Sequence, residues 1–354
     1  MSLRTVARAW NEFFFTPQSP LPVSLFRILF GLVVIANLIL LHADWLNWYG
    51  PHGWVTLKTM SKVEPGVRLN LFKIMPASDQ WIGAFFWFFL CFAVLLTVGL
   101  LSRVSSVVVF LCLASIHERN LYINHGGDTF LRVAAFFLMF APAGAMLSLD
   151  RLILKRLGRA GEKVRPRSPW AQRMIQFELA LLYSCAFWWK SMGETWVNGT
   201  ALYYVSHLHE MRRFPVPHWL NEPILLKLGT WLTLALEFAL GVLIWFKELR
   251  YPLLAMGVLF HLSLEYALNV PTFQWDVLAA YVLFVDAKDL QRAGEWIQKR
   301  FALRLLLKNK RRTTGSLTAK VDRHLDAVSD LDERNATVHP VIFAVKSHGT
   351  VYGP

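Results

Sequence analysis

The feature that most constrains this chain is a series of apolar blocks, most of them long enough to cross a lipid bilayer. A helix needs roughly 20 residues to cross about 30 Å of hydrocarbon, and in lipid every backbone polar group must find a partner inside the protein. The blocks predict eight spans, at about 21–43, 80–101, 103–121, 128–148, 170–190, 223–246, 250–269 and 272–286. The sequence therefore predicts an all-α fold, a polytopic transmembrane helix bundle.

Composition and charge support this prediction. Hydrophobic residues make up 55% of the chain and charged residues only 17%, whereas a soluble domain carries about a quarter charged residues. The net charge of +13 does not indicate nucleic acid, because the basic residues concentrate at 151–173 and 288–312, beside apolar blocks. Such clusters mark the cytoplasmic side of a membrane protein.

Lys and Arg counts in the loops predict the orientation. The loop 151–173 holds eight basic residues, and the longer loop 44–79 on the opposite side holds four. The positive-inside rule then places both termini in the cytoplasm. Three further segments are predicted outside the 21–287 transmembrane domain. They are an N-terminal interfacial helix within 1–20, a basic amphipathic helix at 288–312 that binds anionic lipid, and a flexible polar tail at 313–354.

Ionisable residues inside the spans are the best pointers to function, because each is costly in lipid unless it is paired or hydrated. They are Arg27, Arg132, Glu178, Lys190, Glu237, His261, Glu265 and Asp276. One interpretation is that they form internal ion pairs that fix helix packing. The other is that some of them carry out proton chemistry.

Lys190 is the sharpest case, since it ends an apolar span directly after Trp188 and Trp189. Desolvation there favours the neutral amine, which could act as a base. A neighbouring carboxylate such as Glu178 or Glu194 would instead hold it charged, and an amine that reaches the interface would be an anchor. No HExxH or CxxC pattern is present, so we predict no metal site.

Four segments, in order, resemble the membrane domain of the vitamin K-dependent γ-glutamyl carboxylase. They also resemble its bacterial relatives, the horizontally transferred transmembrane (HTTM) domain proteins. The segments are Pro22-Val-Ser-Leu-Phe-Arg27-Ile-Leu-Phe-Gly31, Arg119-Asn120 with Asn124-His125-Gly126-Gly127-Asp128, Lys190-Ser-Met-Gly-Glu-Thr-Trp196-Val-Asn-Gly199, and Phe260-His261. The resemblance covers about residues 5–286 and implies a bacterial plasma-membrane protein.

The resemblance also implies a site. In the carboxylase a lysine deprotonates vitamin K hydroquinone, and Lys190 would be that lysine, with His125 as a second catalytic residue. The substrate-binding residues would be Arg119, Asn120, Asn124, Asp128, Trp189 and His261. The implied cofactor is a quinol such as vitamin K hydroquinone or menaquinol.

Three functions remain open on these grounds. The first is a quinol- or lipid-linked enzyme with a pocket at the outer leaflet, with an activity like that of the carboxylase and its linked epoxidation. The second is a non-enzymatic component of a peptide maturation or export system, with a protein partner that the residues do not identify. The third is a small-solute transporter, which is disfavoured because the chain lacks an internal repeat.

Overall fold

The computed structural model describes residues 2–63 and 69–300, and this part of the chain is helical. Its β-structure is limited to two isolated bridges, Gln18 with Arg167 and Arg212 with Leu268. The α-helices are α1 Leu3–Phe15, α2 Leu21–Leu41, α3 Trp45–Tyr49, α4 Leu57–Val63, α5 Asp79–Val98, α6 Ser102–Arg119, α7 Gly126–Leu138, α8 Leu149–Arg156, α9 Trp170–Ser191, α10 Glu194–Val197, α11 Ala201–Ser206, α12 Pro223–Val242, α13 Lys247–Ala267 and α14 Phe273–Tyr281. Short 3₁₀ turns follow α12 and α14, at Leu243–Trp245 and Val282–Phe284.

Local sequence signals set the helix ends. The Ser78 hydroxyl accepts from the Trp81 amide and begins α5, as expected of an N-cap serine. The same helix ends at Gly99, whose φ of 72° lies in the left-handed region that glycine adopts freely. Pro223 is the first residue of α12, where its missing N–H costs nothing.

Each of the eight predicted spans falls on a helix, namely α2, α5, α6, α7, α9, α12, α13 and α14. Within the described residues, three helical segments are long and apolar enough to cross a membrane by themselves: Leu21–Leu41, Asp79–Val98 and Pro223–Trp245. Helix α7 is shorter than the predicted span 128–148, because it ends at Leu138. Its 13 residues extend about 20 Å.

The core lies between α2, α5, α6, α7, α9 and α14, with α12 packed along α9. Phe26, Phe30 and Phe89 are fully buried in it. Arg27 is also fully buried, and its guanidinium donates to the carbonyls of Ala143 at 3.1 Å and Leu147 at 2.5 Å. This arginine is therefore structural, because it satisfies backbone carbonyls in the non-helical 139–148 segment that follows α7.

Helices α9 and α14 run antiparallel, so the start of one lies beside the end of the other. Gln172 and Gln176, near the start of α9, both donate to the carbonyl of Leu283, just after α14. The opposite end therefore gathers the end of α9, the start of α14 and the start of α7. Residues up to Leu290 form one compact unit, and residues 291–300 belong to a second unit and are helical. The rest of the predicted 288–312 helix, and the 313–354 tail, lie outside the described residues.

Candidate functional site

A cavity of about 370 Å³ lies between α9, α12, α13 and α14, at the end of the bundle where α7 begins. Most of its wall is apolar or aromatic, with a few polar groups. The lining includes Lys190, Glu237, His261, His125, Tyr183, Gln274, Trp196, Phe260 and Phe273. A mainly apolar cavity with a few convergent polar groups is the usual form of a small-molecule site.

The Lys190 ammonium faces this cavity and is paired with a carboxylate that the sequence did not indicate as its partner. It bonds Glu237 on α12, not Glu178 or Glu194. The Glu237 side chain is only 5% exposed, and its second oxygen has no partner within the described residues. The ammonium also lies 5.0 Å from the centre of the Trp196 ring, a cation–π distance. Lys190 is thus held at the cavity wall by a buried anion and an aromatic face.

A second polar group of the cavity is a hydrogen-bonded chain centred on His261. The Tyr183 hydroxyl lies 2.5 Å from His261 Nε2 and 2.5 Å from the Tyr281 hydroxyl. On the other side of the ring, His261 Nδ1 lies 2.5 Å from Gln274 Oε1. A carbonyl oxygen only accepts, so Nδ1 carries the proton and Nε2 accepts from Tyr183. The arrangement satisfies a neutral His261 completely.

His125 lines this cavity and also a smaller one of about 190 Å³ beside it. Its backbone and side chain cap α7: the Gly127 amide donates to Nδ1 at 3.0 Å, and the His125 amide donates to Asp128 Oδ2 at 2.8 Å. The other oxygen of Asp128 lies 3.4 Å from His117 Nε2. A continuous set of titratable groups therefore connects the two cavities through His125.

Two further buried titratable groups lie at or near the smaller cavity. Tyr49 lines it and is 3% exposed. Burial raises the pKa of Tyr49, the Asp128 carboxylate raises it further, and Arg119 opposes both. Asp276 lies close by, since a Cβ on Gly127 would come within 3.0 Å of its Oδ2. Both Asp276 oxygens are buried with no partner in the described part of the chain.

The remaining predicted site residues divide into those near the cavities and those with structural positions. Asn124 lines the smaller cavity, and its amide donates to the His117 carbonyl at 2.8 Å. Arg119 is buried and donates to the carbonyls of Val55 and Gly50 at 2.8 and 3.0 Å, which fixes the 44–79 loop. Asn120 caps the turn at Tyr122. Trp189 is 72% exposed and does not line the cavity.

A third cavity of about 390 Å³ adjoins the Lys190 cavity and is almost wholly apolar. The two share Leu202, Val205, Leu264 and Leu268 as wall residues. Arg212 lies on its far side, where its guanidinium donates to the carbonyl of Ser206 at 2.5 Å. Both chambers are therefore mostly apolar, and the Lys190 cavity differs in the titratable groups that converge on it.

Comparison with known protein families agrees with this architecture. Residues 15–288 match the HTTM domain. The chain belongs to the HTTM family. It is therefore an integral membrane protein of the carboxylase-related group, and the matched region contains every lining residue of the Lys190 cavity. Neither the comparison with curated proteins nor that with solved structures gives a match.

Sequence reasoning missed several cavity residues of this HTTM protein. Glu237 was noted as an ionisable residue in a span, but nothing in the sequence pairs it with a lysine 47 positions earlier. Tyr183 and Tyr281 gave no signal, because tyrosines inside apolar helices are ordinary packing residues. Within the described residues, no group of three or more His, Cys, Asp and Glu side chains is arranged to hold a metal ion.

Proposed function

We propose that this HTTM protein is a quinol-linked membrane enzyme whose reacting ring is held in the Lys190 cavity. The observation that carries the proposal is the Lys190–Glu237 pair, which faces a cavity also lined by His125 and His261. A lysine ammonium, the buried carboxylate that holds it charged and two imidazoles converge on one mostly apolar space, which brings groups able to exchange protons beside an apolar ring.

The cavity residues fit a quinol ring chemically. The aromatic side chains Trp196, Phe260 and Phe273 supply apolar walls. One carboxylate oxygen of Glu237 has no partner among the residues that the structure describes. A bound hydroquinone would supply an acidic hydroxyl and two reducing equivalents. The adjoining apolar chamber, with the shared wall at Leu202 and Leu264, suits an isoprenoid tail.

The residues of the chain have distinct tasks in this proposal. In the paired state Lys190 is an ammonium and Glu237 a carboxylate. When the ammonium proton moves to Glu237, Lys190 becomes a neutral amine, which then accepts the proton of a cavity hydroxyl. His261 remains neutral because Tyr183 and Gln274 occupy its two nitrogens, and it orients the ring without supplying charge. His125 lies between the two cavities and carries protons towards Asp128 and His117.

The proposal includes a topology. The eight helices that coincide with the predicted spans would cross a bacterial plasma membrane with both termini in the cytoplasm. Helix α1 would lie at the membrane surface, since Phe14 is buried against Phe177 while most of the helix is exposed. On this topology the Lys190 cavity opens towards the outer leaflet.

Binding of a quinone to purified protein tests the function. We expect menaquinone to quench the fluorescence of the wild-type chain in mild detergent, since Trp196 lines the cavity. Lys190→Met should weaken the fitted affinity about tenfold, as expected for loss of a buried polar contact. The matched control is Lys227→Met, because Lys227 also lies over a tryptophan, Trp231, at 5.1 Å but outside the cavity.

Equal affinity in the wild type and both variants would contradict the proposal. Mass spectrometry of small molecules that co-purify with the wild-type chain provides a second readout. A quinone in that extract supports the enzyme. A stoichiometric protein partner with no quinone would favour the alternative, a non-enzymatic component of peptide maturation or export.

A further inference from the structure

The opposite end of the bundle contains a larger cavity that the proposed reaction does not use. Its volume is about 560 Å³. It is lined by Ser102, Arg103, Ser106, Phe140, Ala141, Pro142, Ala143, Gly144, Ala145, Asp150, Arg167 and Ser168. The floor, from Ala141 to Ala145, is made of small residues and one proline, which leaves the space open.

Two arginines at this cavity have no side-chain partner in the part of the chain that the structure describes. Among residues 2–63 and 69–300, neither the Arg103 nor the Arg167 guanidinium makes a hydrogen bond or an ion pair. The one carboxylate in the lining, Asp150, is already engaged: it accepts from the Leu101 amide at 2.8 Å and from the Ser102 amide and hydroxyl at 2.8 and 2.7 Å. The cavity is therefore lined by two guanidiniums that no described residue pairs with an anion.

Both arginines extend from ordered backbone. Arg167 exchanges two backbone hydrogen bonds with Gln18, each 2.8 Å long. The next residue, Ser168, donates from its hydroxyl to the Phe14 carbonyl at 3.3 Å. Arg103 lies in the first turn of α6. Two guanidiniums that line the same cavity suit a planar or tetrahedral anion, which arginine binds through two N–H groups.

Exposed apolar side chains lie in the cavity lining or next to lining residues in the sequence. Phe140 lines the cavity and is 47% exposed, Val104 is 53% exposed, and Leu101 is 57% exposed. A free inorganic anion would gain no binding energy from these apolar side chains. A lipid does, because its acyl chains need apolar contact directly beside its headgroup.

From this placement we propose that the cavity binds the phosphate headgroup of an anionic phospholipid, with Arg103 and Arg167 as the binding residues and Phe140 and Val104 against the acyl chains. The basic loop 151–173 contributes to the cavity, so the lipid belongs to the cytoplasmic leaflet, which is rich in anionic headgroups. This site is distinct from the basic 288–312 segment.

Native mass spectrometry of the full chain in detergent tests the proposal. The chain is titrated with phosphatidylglycerol, with phosphatidylcholine and, in a separate arm, with inorganic phosphate. We expect phosphatidylglycerol to bind the wild type with a saturable first step. The double change Arg103→Gln with Arg167→Gln should weaken that step at least tenfold, because each cation near a membrane surface contributes about a fivefold factor.

The control is Arg156→Gln with Arg159→Gln, which removes the same charge from exposed residues outside the cavity. Equal weakening in both double variants would overturn the proposal, since it would show general attraction to the basic surface. Equal binding of phosphatidylcholine would also overturn it, and so would saturation of the site by inorganic phosphate at the lipid concentration. If the cavity double variant aggregates, the single change Arg103→Gln should still lower affinity about fivefold, and an unchanged affinity refutes the site.

Discussion

At the scale of single residues, the partner of Lys190 decides what that lysine can do. Glu237 is almost fully buried and lies against the ammonium, so the two charges stabilise each other in a place where either alone would be costly. The pair is compatible with a structural role and with a proton-sharing one. The surrounding cavity, with His261 and Tyr183 on its wall, is what favours the second.

Removing one member of this pair should cost more than removing both. Lys190→Met leaves Glu237 buried without a cation, so we expect a loss of about 3 kcal/mol in the free energy of unfolding, as for other broken buried pairs. The combined change Lys190→Met with Glu237→Gln should regain most of that loss. Unfolding of the detergent-solubilised protein by heat or denaturant measures it, and a double variant no more stable than the single one would contradict the pairing.

Lys190 and His261 were selected as ionisable residues in apolar spans, His125 was selected from the family resemblance, and all three line one cavity. Glu178 and Glu194 were considered as carboxylates that could hold Lys190 charged, but the partner is Glu237, because helix packing brings α12 against α9. The periodicity of apolar residues indicates which face of a helix is buried, but not which other helix packs against that face.

At the scale of elements, the positions of the long helices were largely predictable, because long apolar runs can only satisfy their backbone in lipid as helices. The largest error is in α7, which ends at Leu138 instead of continuing to 148. Pro142 explains it, since proline offers no amide hydrogen and disfavours a helical residue before it. No sequence pattern indicates that Arg27, more than a hundred residues earlier, donates hydrogen bonds to the carbonyls of Ala143 and Leu147 in the segment after α7.

The turn between α5 and α6 depends on Asp150. Leu101 there has a φ of 49°, a left-handed conformation that costs a non-glycine residue roughly 1–2 kcal/mol. Asp150 accepts three hydrogen bonds from this turn. Partial burial opposes ionisation, but the bonds from Ser102 and Leu101, with the nearby Arg27, lower the pKa of the Asp150 carboxyl below its ordinary value. The ionised carboxylate therefore stabilises the turn.

Asp150→Asn should destabilise the protein by about 1–2 kcal/mol at pH 7, the usual cost of losing a helix cap. Because the pKa of Asp150 is lower in the folded state, its contribution is complete above pH 4 and is lost as the pH falls through the folded-state pKa. The gap in melting temperature between wild type and variant should therefore narrow below pH 4. The control is Asp79→Asn, which changes an exposed aspartate in the first turn of α5. If the difference in melting temperature between the wild type and Asp150→Asn does not change with pH, this account is contradicted.

At the scale of the whole molecule, the two ends of the bundle differ in chemistry. One end collects Lys190, His125, His261 and the buried carboxylates around a mostly apolar cavity. The other presents Arg103 and Arg167 at an open cavity beside the basic 151–173 loop. The antiparallel packing of α9 and α14 separates these ends, so the orientation of the bundle decides which leaflet each cavity meets.

The topology proposal makes this asymmetry measurable. With Cys91, Cys112 and Cys185 replaced by serine or alanine, single cysteines are introduced by Glu162→Cys and Glu222→Cys, two exposed positions in the loops before α9 and before α12. We expect a membrane-impermeant maleimide to label intact cells only at position 222, because the positive-inside rule places the basic loop in the cytoplasm. Position 162 should react only after the membrane is permeabilised, and the cysteine-free chain sets the background.

Labelling of both positions from the outside would refute a span between them, and labelling of 162 alone would show that the bundle has the opposite orientation. In either case the Lys190 cavity could not open to the outer leaflet together with a cytoplasmic 151–173 loop.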